Sequence, residues 1–176
     1  MRRNHLGFNL VELIVVVAIS AVLLALALPS VGAQFQRTRV VTAHNQLAGA
    51  FAHARLLAMT LRTQAVVCPS MDAESCRNDG VWESGWITFV DVDSDGVRDP
   101  IDTLLKAEGP ASDALRIRSS RHRSRALFRS NGMARGANFT LRFCGAKPEV
   151  LGALVLNNGG RVRVAAREEL RVLPSC

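Results

Sequence analysis

Tyrosine is absent from this chain, and all aromatic residues together make up 5% of it. Without tyrosine there is no phenol to act as acid, base or nucleophile. The few rings do not alternate with basic residues, so a base-stacking surface for single strands is not indicated. No CxxC occurs: the four cysteines are Cys68, Cys76, Cys144 and Cys176, too widely spaced for the paired ligands of a structural zinc site. There is no nucleophile elbow, no phosphate-binding glycine loop and no Cys–His pair. His44 and His53 have no partners at metal-ligand spacing. The chain is therefore expected not to be an enzyme and to carry no cofactor. Internal repeats and low-complexity linkers are missing as well.

Charge of one sign is scarce in each half of the remainder. Residues 72–113 hold eleven acids and three bases, whereas residues 114–176 hold thirteen bases and three acids. The overall +7 hides an acidic middle that could hold a cation and a basic C-terminal third that could meet a polyanion. An even cysteine count in an exported chain suggests two disulfides. Four cysteines allow three pairings; Cys68–Cys76 and Cys144–Cys176 are favoured here, the first closing a short polar stretch and the second tying down the last residue.

What is plentiful lies at the N-terminus. After the short basic stretch Met1-Arg2-Arg3-Asn4-His5-Leu6-Gly7, residues 10–28 are apolar apart from Glu12 and Ser20. Nineteen helical residues span about 28 Å, close to a bilayer's hydrocarbon core. The preceding arginines favour a cytoplasmic start. The run is long for a secretory signal, and no small-x-small cleavage site precedes the continuing helix. A carboxylate near the start of such a helix is costly and usually functional. Cleavage after Gly7 would leave the Phe8 ammonium one helical turn from Glu12.

Gly7-Phe8-Asn9-Leu10-Val11-Glu12-Leu13, after a basic leader and before an apolar helix, resembles the class III signal of type IV prepilins and type II secretion pseudopilins. The resemblance implies cleavage between Gly7 and Phe8 by a prepilin peptidase, N-methylation of Phe8, and a docking role for Glu12 in a filament. Pro29 matches the family's helix kink. Asn9 departs from the commoner threonine. The domains expected are a cleaved leader (1–7), a hydrophobic transmembrane and filament-core helix (8–33) and a periplasmic or extracellular head (34–176).

In that head, Val40, His44, Leu47, Phe51, Ala54, Ala58 and Leu61 recur at helical spacing and form a stripe able to cover a sheet. His44 reads as a core-edge residue. Short strands follow, at 64–68, 86–90, 103–107, 115–118, 126–129, 138–143, 153–156, 161–165 and 170–173. Asn157-Asn158-Gly159-Gly160 reads as a hairpin turn. The fold class expected is α+β: a long N-terminal helix, apolar then amphipathic, packed on an antiparallel β-rich head. Val66-Val67-Cys68-Pro69-Ser70, the loop to Cys76, Trp82 and Gly85-Trp86-Ile87-Thr88-Phe89-Val90-Asp91 look like the FimT/GspH group of minor pilins, over nearly the whole chain.

Three segments carry candidate chemistry. Gly160-Arg161-Val162-Arg163 enters a strand, where alternation puts Arg161 and Arg163 on one face as a pair of forks suited to phosphate. Its glycine-rich turn would let a phosphate backbone approach closely. The segment is similar to the Gly-Arg-x-Arg motif associated with DNA binding in FimT proteins. The run from Arg116 to Arg125 contains no acid and offers Arg121, Arg123 and Arg125 as further phosphate contacts. Asp91, Asp93, Asp95, Gly96, Asp99 and Asp102 fall at positions one, three, five, six, nine and twelve of a calcium-type loop. Flanking helices are missing, aspartate replaces the final glutamate, and Arg98 lies inside, so a capped turn is the reading taken and calcium the alternative.

The expectation is thus a minor type IV pilin that helps initiate pilus assembly and binds double-stranded DNA for uptake in transformation. The alternatives are a purely structural minor pilin or GspH-like pseudopilin, and a calcium-dependent adhesive tip module. Implied partners are other major and minor pilins, the prepilin peptidase, double-stranded DNA and, before assembly, the inner membrane, with the pilus at the cell surface as final location.

Overall fold

The computed structural model describes residues 9–120, 122–136 and 138–176, without the side chains of residues 26–31 and 33. Gly7, Phe8 and Arg121 lie outside the described residues. Helix α1 (Leu10–Leu61) opens the fold and stays helical across Pro29, with Glu12 in its first turn. Among the described residues, no helix is both long and apolar enough to cross a membrane. The chain divides into two compact units, residues 1–37 and 38–176.

Within the second unit, Val40, Ala43, Leu47, Phe51, Ala54 and Ala58 of α1 are buried. This is the expected stripe with two changes: Ala43 joins it, and Leu61 is half exposed at the helix end. Phe51 fills the centre against Trp82, Phe128 and Phe139. His44 is 8% exposed and meets Phe143 edge-on at 4.2 Å, so burial lowers its pKa. It is a core-edge residue.

Two four-stranded antiparallel sheets complete the head. The first has the order β3 (Thr103–Glu108), β2 (Trp86–Asp91), β1 (Gln64–Pro69), β5 (Ala126–Phe128). The second has the order β4 (Arg116–Arg118), β6 (Phe139–Cys144), β7 (Val150–Leu156), β8 (Val162–Val164). β1 and β2 are buried on both faces, which explains their nearly continuous apolar sequences. β6 alternates buried and half-buried positions, as a strand with one covered face does.

The segment 170–173, expected as a strand, is not one. Residues Arg167–Leu170 form a short helix, α2, followed by a turn. Glu169 accepts the Ala166 N–H at 2.7 Å and so closes the first turn. Leu170 and Leu173 pack on Ala153, Val155 and Ala165. Their spacing of three puts both on one face of a helical turn laid over β7, whereas in a strand they would point to opposite faces.

Disulfides join Cys68 to Cys76 and Cys144 to Cys176. The first closes the loop after β1. The second fixes the C-terminus to β6, where Arg142 also donates to the carbonyls of Pro174 (2.8 Å) and Ser175 (2.9 Å).

Candidate nucleic-acid interface

The hairpin joining β7 to β8 is built by its own polar atoms. Asn157 N–H donates to Arg161 O (3.0 Å), Gly160 N–H to Asn157 O (2.9 Å) and Arg161 N–H to Asn157 Oδ1 (3.0 Å). Gly160 is buried with φ +72°, and a Cβ there would stand 2.1 Å from the Gly132 carbonyl oxygen. The glycine is therefore required by the neighbouring turn, residues 129–133. The turns are further joined by Ala134 N–H donating to Asn158 O at 2.9 Å, and Arg55 of α1 donates through Nε to Gly132 O at 2.9 Å.

Arg161 and Arg163 are both exposed and the intervening Val162 is half-buried against the core, so alternation holds. Their electrostatic states differ. Both Arg163 terminal nitrogens donate to the Glu169 carboxylate at 2.7 Å, a bidentate pair that raises the guanidinium pKa. Glu169 is correspondingly pulled down to about 2, first by the Arg163 hydrogen bonds and then by the Ala166 amide. The Arg161 side chain makes no such pair among the described residues. Arg129, on the apposed turn, is exposed and likewise free of an ion pair among the described residues. The sequence displayed Arg129 only as the end of a basic run; its adjacency to the Arg161 turn is tertiary and left no local signal.

The basic loop is less available than its sequence implies. Arg125 donates to Gly96 O and to Asn78 Oδ1. Arg123 donates to Arg135 O at 2.5 Å, and burial lowers its pKa. Both are half-buried and turned onto backbone or amide oxygens, which position the loop. They line a shallow cleft of about 480 Å³ with His122 and Arg135, whose side chains are exposed.

In the acidic middle, the Asp91 carboxylate closes β2 beneath the surface. Its Oδ2 accepts from the Gln64 amide and from Gly96 N–H (2.9 Å), while its buried Oδ1 accepts no hydrogen bond. Burial pushes its pKa up, with Gln64 and the loop amides pulling the other way. Asp102 uses both oxygens to hold the loop, accepting from Val92 N–H (2.9 Å) and Asp99 N–H (3.1 Å). Asp99 accepts from Ile101 N–H at 2.9 Å. Asp99 and Asp102 thus cap the turn through these amides.

The sequence matches the family described as "Type II transport protein GspH" over residues 43–165. No relative is found among curated proteins. Among solved structures, the chain is similar to the Pseudomonas aeruginosa type IV minor pilin FimU, at 17% identity and a TM-score of 0.58, over 74% of this chain and 90% of that one. A second crystal form of FimU gives 17% identity and a TM-score of 0.54 over 71% and 91% of the two chains. The minor pseudopilin EpsH of the Vibrio cholerae type II secretion system follows at 11% identity and a TM-score of 0.48, over 71% and 94%. The helix-and-two-sheet head together with the sequence match over residues 43–165 places the chain: it belongs to the GspH family and is a pilin-like protein of the FimT/GspH minor-pilin group.

Proposed function

We propose that this minor pilin contacts double-stranded DNA through the phosphate backbone, with Arg161 as the principal contact, and so serves DNA uptake. The observation that supports this most directly is the exposed Arg161 on a hairpin packed against the Arg129 turn, so that two guanidiniums without an ion pair among the described residues stand on neighbouring turns. Arg163 is a conditional contact, since a phosphate must first displace Glu169. Such contacts are independent of base sequence and weaken with salt.

The remaining steps of the proposal concern the other end of the chain. A prepilin peptidase cleaves between Gly7 and Phe8, Phe8 is methylated, and the apolar start of α1 holds the subunit in the inner membrane until assembly. Glu12 then docks on a neighbouring pilin. Mass spectrometry of the mature protein should show a chain beginning at methylated Phe8.

Duplex binding measured over a salt series tests the interface. Arg161→Ala should weaken binding to unrelated duplexes alike and lower the magnitude of the log–log salt slope by about 1. Unchanged binding at every salt concentration would remove Arg161 from the interface. A second reading, a purely structural pilin or secretion pseudopilin, is favoured by one specific observation: Arg123, Arg125 and Arg163 are all engaged within the protein. Absence of duplex binding by the wild type at low salt would select it.

A further inference from the structure

The loop between β2 and β3 brings one carboxylate oxygen each from Asp91, Asp93 and Asp95 within 4.8 Å of one another. Three features set this cluster apart from an ordinary acidic turn. Asp91 is 0% exposed, yet its buried Oδ1 has no donor among the described residues, although buried polar atoms are nearly always satisfied. None of the three carboxylates forms an ion pair with Lys or Arg among the described residues. The turn's own hydrogen bonds use only one oxygen each of Asp93 and Asp95, through Asp95 N–H (3.3 Å) and Val97 N–H (2.6 Å).

We infer that Asp91, Asp93 and Asp95 hold a divalent cation, and that the cation is calcium. The donors are all hard oxygens, with neither histidine nor cysteine, which disfavours zinc and other softer metals. Calcium accepts six to eight oxygens in flexible geometry, so three aspartates can be completed by loop carbonyls and water. Magnesium demands a more regular octahedron and dehydrates reluctantly. With three carboxylates and no bidentate glutamate, the affinity belongs with extracellular modules, about 10⁻⁴–10⁻³ M. Gly96, at φ +80°, turns the chain back so that its N–H reaches Asp91 while its carbonyl accepts from Arg125. Ordering this loop therefore also steadies the anchor point of the basic loop.

The experiment is calcium titration of the full-length protein by calorimetry and by thermal unfolding, with magnesium at matched ionic strength as control. Asp93→Asn and Asp95→Asn serve as variants because both residues are exposed and leave the buried framework intact. The expected result is one saturable calcium site, a melting temperature that climbs with calcium, a weaker response to magnesium, and a loss of affinity of about tenfold in each variant. No saturable binding up to about ten times the upper affinity limit, or binding equal in wild type and both variants, overturns the assignment.

Discussion

The acidic middle and the basic C-terminal third deal with their charges in opposite ways. In the loop after β2, carboxylates gather: Asp91, Asp93 and Asp95 converge, and Asp99 and Asp102 fold the surrounding chain over them through backbone amides. In the basic third the guanidiniums disperse. Arg116 and Arg142 donate to carbonyls near the C-terminal tail, Arg118 pairs with Glu83, Arg123 and Arg125 bind loop oxygens, and Arg163 pairs with Glu169. A short acceptor-only carboxylate can bond only to donors close by, so acids collect around exposed amides. A long five-donor guanidinium reaches distant carbonyls, so a run of arginines need not form a patch. A run of charged residues thus overstates the donors left free for a partner, and more so for arginine than the acceptors for aspartate.

The disulfides provide the largest expected contrast between the two regions. Cys68–Cys76 closes a separation of eight residues in the acidic part, and Cys144–Cys176 one of 32 in the basic part. Loss of a native disulfide typically costs about 2–5 kcal/mol, and the chain-entropy difference between these loops is about 1 kcal/mol. Cys176→Ser should therefore lower the denaturation midpoint more than Cys76→Ser does. It should also expose the tail to proteolysis. Equal losses would mean that Arg142 already fixes the tail without the covalent bond.

Glycine substitutions sharpen the comparison at a smaller scale. Gly96 and Gly160 both adopt left-handed backbone, at φ +80° and +72°. A Cβ at Gly96 meets the Leu127 Cδ2 at 3.2 Å, the movable end of a side chain, whereas at Gly160 it meets a backbone oxygen at 2.1 Å. Gly96→Ala should cost about 1 kcal/mol, from the backbone conformation itself. Gly160→Ala should cost about 1–3 kcal/mol because the apposed turn must also shift. Chemical denaturation measures both, and the reverse order would show that the two turns separate readily.

Much of this fold is legible in the sequence because its signals are local. Helical spacing of apolar residues marked α1, β-branched runs marked β1 and β2, and Asn157-Asn158-Gly159-Gly160 marked the hairpin. Failures arise where the deciding partner is remote. The short segment 170–173 reads as a strand until Leu170 and Leu173, three apart, are both found packed on β7 and Ala165. Gly160 looks like a phosphate-facing glycine until Gly132 is found against it. The basic loop reads as a polyanion surface until Gly96 and Arg135 are found to occupy its forks. The Asp-rich loop shows the converse: its spacing was legible, but the buried, unsatisfied oxygen of Asp91 belongs to the packing.

Glu169 tests how far the internal pairing suppresses the basic surface. Glu169→Gln removes the charge that holds Arg163 and should strengthen duplex binding, raising the magnitude of the salt slope by up to about 1. Arg163→Ala in the parent should have a smaller effect than Arg161→Ala, since its fork is already occupied. If Glu169→Gln leaves binding unchanged while Arg161→Ala abolishes it, Arg163 is purely structural and the interface centres on Arg161.

The smallest effect expected is also the most direct reading of that pair. The Glu169 carboxyl titrates at about 2, below the ordinary glutamate range, because Arg163 and then the Ala166 amide stabilise its charged form. Its folded-state pKa is depressed, so its contribution to stability is present above the unfolded value and is lost as pH falls from that value toward about 2. Both side chains are largely exposed, with relative exposures of 53% and 42%, so solvent screening makes the change in global stability small. Carboxyl-detected NMR is therefore the suitable measurement. The Glu169 resonance should titrate near 2 in the parent and move back toward the ordinary range in Arg163→Ala, with part of the depression retained through the Ala166 amide. High salt should shift the parent in the same direction, by weakening an exposed pair. A Glu169 resonance that titrates normally in the parent would mean that the Arg163 fork is free in solution. Arg163 would then stand beside Arg161 as an equal phosphate contact.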